Sequence, residues 1–169
     1  TVPLAAAQPA AMDKGSTPVL APSELISQST MNVTDADPSI DESKLVVVTT
    51  MASWCTSCAK HQPLLEKMSR EFSRSDVSFI GFAGDPDDPA EDLEQFVERL
   101  GIHYPIVITP DDETRASVES ILSSGDGADV LPSTVVLNHR GQVLKTHSGI
   151  PTVSEIRRYL QDVSAEPRE

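Results

Sequence analysis

Only two cysteines occur in this 169-residue sequence, Cys55 and Cys58, and they stand in CxxC spacing. Three chemistries use such a pair. A structural disulfide across so small a loop removes little unfolded-state entropy, so it would stabilise little. A structural zinc site needs four ligands. There is no second CxxC, and His61, His103, His139 and His147 are scattered at no familiar ligand spacing. The third chemistry is a redox dithiol, whose working group is its own reversible Cys55–Cys58 disulfide, with no other cofactor and no metal.

The surroundings of the pair favour this third reading. Leu45-Val46-Val47-Val48-Thr49-Thr50 is a continuous β-branched run, the pattern of a strand buried on both faces. After the cysteines, Leu64, Leu65, Met68 and Phe72 recur at helical spacing, which predicts a helix over about 56–73. The cysteines therefore open a helix, where free backbone N–H groups and the positive end of the dipole stabilise a thiolate. A CxxC thiol so placed falls from about 8.5 into a range of about 3.5–7.5. Cys55 is expected to be the exposed nucleophile. Cys58, one turn further in, is expected to resolve the mixed disulfide. The Thr56 and Ser57 hydroxyls are candidate donors to the Cys55 thiolate, or simple helix-start residues.

The elements that must position this pair follow from periodicity. Val77 to Ala83 reads as a second strand. Asp88-Pro89-Ala90-Glu91 carries a capping Asp, a first-turn Pro and a capping-box Glu, with Leu93, Phe96, Val97 and Leu100 as the apolar face and Gly101 as the stop. Pro105 to Ile108 reads as a short strand. Residues 112–123 read as a helix burying Ala116, Val118, Ile121 and Leu122. Ser133 to Leu137 and Gln142 to Thr146 form a hairpin around Asn138-His139-Arg140-Gly141, with Gly141 left-handed. Thr152 and Glu155 make a capping box, followed by Val153, Ile156, Leu160 and Val163 as the face of a last helix. The order βαβαβαββα implies an α/β/α sandwich around a mixed sheet, mostly parallel, with one antiparallel hairpin at its end.

The rest of the chain bounds partners and location. A net charge of −13 argues against nucleic acid or an anionic membrane surface as partner. No apolar run is long enough to span a bilayer. Residues 1–43 are expected to be an N-terminal extension, with at least 1–22, rich in Ala, Pro, Ser and Thr, a flexible tether. Ser23-Glu24-Leu25-Ile26 reads as a short helix or an edge strand, and Asp35 to Glu42 as a loop with an Asp37-Pro38 turn. The domain is expected over 44–165. The opening Thr1 and the tether-like composition lead to the expectation of an exported protein, freed from or held by a removed N-terminal segment.

Ala52-Ser53-Trp54-Cys55-Thr56-Ser57-Cys58 resembles the active-site segment of the thioredoxin superfamily. Pro63 matches the proline that kinks that family's active-site helix. Leu131-Pro132-Ser133-Thr134 matches its cis-proline loop, which implies a cis Pro132 beside the dithiol, with Leu131 and Trp54 as supporting residues. Gly141 and Gly149 fall at its hairpin turn and after its last strand. The additional helix and strand at about 84–110, absent from plain thioredoxin, are similar to the TlpA/ResA-like branch. The resemblance covers about residues 44–163. It implies a thiol–disulfide oxidoreductase of the bacterial periplasm, acting on protein thiols and disulfides such as apocytochrome c or copper-site proteins and recharged by a membrane redox donor.

The sequence also departs from the family. Thr49 stands where thioredoxin has a buried Asp, and His61 where the branch often has Glu. His61 is thus either a proton relay near Cys58 or a solvent-facing helix residue. Lys60 is either an electrostatic aid to the thiolate or a surface lysine. Ser123 to Asp129 lengthens the approach to Pro132 and is expected to be a flexible loop that shapes partner choice. Two other classes use cysteines differently. A thioredoxin-fold binding module such as a copper chaperone would use CxxxC with a distant His. A peroxidase would place Thr or Ser where Ala52 stands.

Overall fold

The computed structural model describes residues 19–32, 43–73, 75–125 and 130–165. The acidic 35–42 loop, the stretch before residue 19 and residues 126–129 of the 123–129 loop lie outside the described residues.

The elements run α1 (Pro22–Ser27), β1 (Leu45–Met51), α2 (Thr56–Glu71), β2 (Val77–Ala83), α3 (Ala90–Leu100), β3 (Ile106–Val107), α4 (Asp112–Ser123), β4 (Ser133–Asn138), β5 (Val143–Ser148) and α5 (Val153–Ala165). The five strands form one sheet in the order β3-β2-β1-β4-β5. β1 is parallel to β2, and β2 to β3, whereas β4 is antiparallel to both β1 and β5. Four strands therefore share one direction and β4 alone opposes them. The mixed sheet is as expected, but the antiparallel character reaches the centre and is not confined to an end hairpin.

Every residue of β1 is buried, as its β-branched run requires of a central strand covered on both faces. Its alternation divides the core. Leu45, Val47 and Met51 face a cluster with Leu65 and Met68 of α2, Leu93, Phe96 and Val97 of α3, and Ile156 of α5. Val46 and Val48 face the other side, with Ile80, Val118, Ile121, Leu122 and Leu137. Two expected core residues are displaced. Leu64 is 55% exposed, because the buried face of α2 is narrower than its apolar stripe and Gln62 and Glu66 occupy its flank. Ala116 is exposed, and Thr114 takes the inward position one turn before Val118.

Residues 19–32 revise the expected extension. They form a strap that is fastened to the domain from one edge of the sheet to the other. Val19 bridges Gln142, and the Leu20 N–H donates to the Gly141 carbonyl at 2.7 Å. Leu20 and Leu25 are buried in the second cluster. Gln28 Nε2 donates to the Thr114 hydroxyl at 2.8 Å. Thr30 N–H donates to the Ile106 carbonyl, and Ile106 N–H to that of Met31. Asn32 then ties its side-chain amide to the carbonyls of Ile102 and Tyr104. The short apolar residues Leu20 and Leu25 cover a face of the sheet that α4 alone leaves open. The described part of the domain thus begins by residue 19 and not at 44.

Candidate active site

Cys55 is the N-cap of α2, with extended backbone (φ −82°, ψ 105°). Its sulfur accepts the backbone N–H of Cys58 at 3.1 Å, so one of the unpaired donors at the helix start points at the reacting atom. Cys55 and Cys58 are joined as a disulfide. Cys58 is fully buried, while Cys55 retains 5% exposure. The first cysteine is less open than its expected role as an exposed nucleophile suggested, because it lies at the bottom of a groove. Pro63 sits inside α2 without ending it.

Two aspartates of the β2–α3 connection hold the segment before the cysteines. Asp88 accepts the Ser53 N–H at 2.7 Å and also the Ser53 hydroxyl. This revises the expected helix cap. Pro89 is the N-cap of α3 and makes no side-chain cap bond, while the Asp88 carboxylate is spent on the neighbouring loop. Asp85 accepts the Trp54 indole N–H at 2.8 Å and, through its other oxygen, the Asp87 N–H. Trp54 nevertheless remains 62% exposed, a large apolar surface beside the dithiol.

The opposite wall comes from the start of β4. The Leu131–Pro132 peptide is cis, and the Leu131 carbonyl oxygen lies 3.7 Å from Cys55 Sγ. The loop is fixed from below: Ser133 N–H donates to the Thr50 hydroxyl at 2.9 Å, and Gly149 N–H to the Pro132 carbonyl at 2.8 Å. Gly149 has φ +90°, a backbone that favours glycine. Gly84 allows close contact on the same side, since a Cβ there would lie 2.7 Å from Leu131 Cδ2. Between the walls runs a groove of about 960 Å³, lined by Trp54, Cys55, Asp85, Arg115, Val130 and Leu131 among others. Arg115 donates to the Ala83 carbonyl at 2.9 Å and stands over the Phe82 ring.

The expected supporting residues fall in different places. His61 Nδ1 is 2.7 Å from the Ser57 carbonyl, so its ring turns back along its own helix. The Ser57 hydroxyl faces His61 at 3.5 Å. Thr56 and Lys60 are exposed. Thr49 is buried, with its hydroxyl 3.3 Å from that of Thr134, which donates to the Gly149 carbonyl.

A polar cluster on the buried flank of α2 has no counterpart in the sequence reading. Glu66 accepts from the His103 N–H at 3.1 Å, lies 2.8 Å from the His103 ring nitrogen and pairs with Arg70. The Tyr104 hydroxyl donates to Gln62 Oε1. Burial first, and then the Glu66 charge, push the Tyr104 phenol far above its usual range, against the opposing effect of the Gln62 bond. Only the alternation of polar residues on the inner side of α2, Gln62 and Glu66, hinted at this cluster.

The Redoxin family model matches residues 20–160, a span that takes in the strap as well as the sheet. Among curated proteins, the chain is 26% identical to the thiol-disulfide oxidoreductase ResA of Halalkalibacterium halodurans over 74% of its own length and 65% of that protein's. It is 25% identical to the ResA of Bacillus subtilis over 64% of its own length and 55% of that protein's. The chain thus spans somewhat over half the length of these relatives. Its fold is similar to a thioredoxin family thiol:disulfide interchange protein from Chlorobium tepidum (18% identity, TM-score 0.59, 74% of this chain and 82% of that one). It is also similar to a thiol-disulfide isomerase from Corynebacterium glutamicum (19% identity, TM-score 0.57, 79% and 90%). With a helix-start CxxC, a facing Leu131–Pro132 loop and an added α3–β3 unit in place, the chain belongs to the Redoxin family, on the TlpA/ResA-like branch of the thioredoxin superfamily.

Proposed function

We propose that this protein is a thiol–disulfide oxidoreductase that exchanges disulfides with exported polypeptides through Cys55. The observation that carries the reading is the asymmetry of the pair: Cys55 lines the groove and accepts the Cys58 N–H, while Cys58 is fully enclosed. In the reducing direction the Cys55 thiolate attacks a partner disulfide. The partner's S–S bond breaks, one of its sulfurs leaves as a thiolate that takes up a proton, and the other becomes bonded to Cys55. Cys58, losing its proton, then attacks the Cys55 sulfur. The partner's second sulfur leaves and is protonated, and the Cys55–Cys58 disulfide forms. Two electrons and two protons pass from the dithiol to the partner, and the reverse sequence oxidises a partner dithiol.

The remaining parts of the site serve binding and orientation. The Leu131 carbonyl beside Cys55 is a main-chain acceptor for an extended partner chain, and Pro132 sets its direction. Trp54 offers an apolar shelf on the other side. Relatives named as thiol-disulfide oxidoreductases support the exchange chemistry, and we extend that chemistry to an extracytoplasmic site of action, with apocytochrome c thiols or copper-site thiols as partner classes and a membrane dithiol donor to recharge the pair.

The decisive experiment is a trap. Cys58→Ser should accumulate mixed disulfides through Cys55 in the protein's native compartment, and Cys55→Ser should accumulate none. If Cys58→Ser captures no exported polypeptide, the reading fails. Equilibration against glutathione fixes the direction, since CxxC proteins span from about −270 to about −120 mV.

A further inference from the structure

Arg115 is a cation set into the dithiol groove without a counter-ion. Its side chain is half-buried and lines the same groove as Cys55, Trp54 and Leu131. Two contacts fix it. One guanidinium N–H donates to the Ala83 carbonyl at 2.9 Å, and the guanidinium carbon stands 5.8 Å from the centre of the Phe82 ring. Both anchors belong to the end of β2. The next residue, Gly84, packs so closely on Leu131 that a Cβ would lie 2.7 Å from its Cδ2, and the Leu131 carbonyl oxygen is 3.7 Å from Cys55 Sγ. The guanidinium is thus anchored beside the wall that a partner chain must touch to present its sulfur to Cys55.

Its remaining N–H donors make no hydrogen bond or ion pair among the described residues. Carboxylates are not scarce, since the chain has 26 Asp and Glu against 13 Lys and Arg. Two of them line the groove itself, and neither pairs with Arg115. Asp85 spends its two oxygens on the Trp54 indole N–H and the Asp87 N–H. Glu119 is exposed one turn further along α4, in the less favourable order of a cation before an anion at four-residue spacing. A guanidinium is a planar fork of N–H donors that fits a carboxylate through two parallel bonds. Held by Ala83 and Phe82, it is ordered before a ligand arrives, which lowers the cost of binding one.

We propose that Arg115 is a specificity-determining residue that binds a carboxylate of the partner, on an Asp or Glu flanking the cysteine that Cys55 attacks. This rests on the dithiol reading and narrows its substrate class to polypeptides with an acidic residue beside the reacting cysteine. The selectivity is local. A net charge of −13 repels an acidic partner as a whole, and one fixed cation in the groove admits a single carboxylate against that field.

The test uses the reduced full chain and a set of synthetic peptides. Each carries one cysteine as its mixed disulfide with mercaptoethanol, and they differ only in a Glu, Gln or Lys at one flanking position, with every flanking position taken in turn. Second-order rate constants come from chromatography of the freed peptide. At one position or more, the Glu peptide should react about tenfold faster than the Gln peptide, as expected of a charge-assisted bidentate bond. Arg115→Gln should bring that ratio close to one, and Arg115→Lys should keep part of it. Arg115→Glu should invert it in favour of the Lys peptide, which a merely structural role for Arg115 would not do. The ratio is internal to each variant, so a general loss of rate does not imitate the effect. Equal rates for the Glu and Gln peptides in the wild type overturn the proposal even if no variant folds. So does a wild-type preference for Lys, which would assign the groove to Glu119, and so does a Glu preference that survives in Arg115→Gln. Reaction with all peptides alike leaves the oxidoreductase reading standing and removes only Arg115; reaction with none removes both.

Discussion

The Asp88 carboxylate holds Ser53 through both of its oxygens, one taking the backbone N–H at 2.7 Å and the other the hydroxyl. Ser53 is two residues before Cys55, so a residue at the start of the added α3–β3 unit fixes the approach to the dithiol. Asp88→Ala leaves a part-buried N–H and hydroxyl without their acceptor. It should cost about 1–3 kcal/mol in urea unfolding, and slow disulfide exchange by loosening the Trp54–Cys55 segment. Asp88→Asn, which keeps one acceptor, should lose less of both. Wild-type exchange rates in Asp88→Ala would show that Cys55 is positioned without this bond.

Leu25 tests the status of the strap. It is fully buried against the sheet face covered by α4. Leu25→Ala should destabilise the whole domain by about 2–5 kcal/mol, measured as a single cooperative unfolding transition. A wild-type midpoint would show that the strap is a dispensable appendage.

Gly141 joins the strap to the β4–β5 hairpin. Its φ is +79°, and a Cβ there would lie 2.6 Å from the Leu20 carbonyl oxygen. Gly141→Ala should therefore cost at least about 1–2 kcal/mol and release the start of the strap. Limited proteolysis should cut within 19–32 faster than in the wild type.

The caps of the last two helices set an acid limb. Asp111 accepts the Thr114 N–H at 2.7 Å, and that backbone bond holds its carboxyl below the usual range. Glu155 is lowered likewise, first by the Thr152 backbone bond and with a smaller contribution from His147 and Arg158. A carboxyl whose folded pKa is depressed contributes stability that is present above its unfolded value, about 3.9 for Asp and about 4.3 for Glu, and is lost as pH falls through the folded value. The urea midpoint should fall on acidification below about pH 4. Glu155→Gln should flatten part of that fall. An equal slope in wild type and variant would remove Glu155 from the account.

Much of this site was legible in the sequence because its signals are local. A CxxC between a β-branched run and an amphipathic segment already fixes a helix-start pair, and α4 spans the expected residues 112–123. The polar misses share one cause: the partner of a polar side chain is set by an element distant in sequence. Asp88 carries every local mark of a helix cap, yet the nearby Ser53 loop takes its carboxylate. Gln62, Glu66 and Arg115 look like surface residues until the 102–104 segment and the groove floor are placed beside them. Leu64 and Ala116 are exposed against expectation because periodicity locates an apolar stripe but not how wide a cover it receives. Residues 19–32 look like an extension in the sequence because Pro, Ala and Ser dominate the stretch before them, and two buried leucines give little periodic signal.

The strap also bears on what the sheet can pair with. Ile106 spends its N–H and carbonyl on Met31 and Thr30, so the outer rim of the two-residue strand β3 has no row of open groups to offer. Exposed strand rims invite extended foreign chains to add on, and the result is aggregation. Under the proposed function the protein would meet such chains constantly. With the β3 rim closed, that edge of the sheet is removed as a pairing site, and under the proposed function the Leu131 carbonyl beside Cys55 offers an incoming chain a place where pairing leads to exchange and release rather than to a growing sheet.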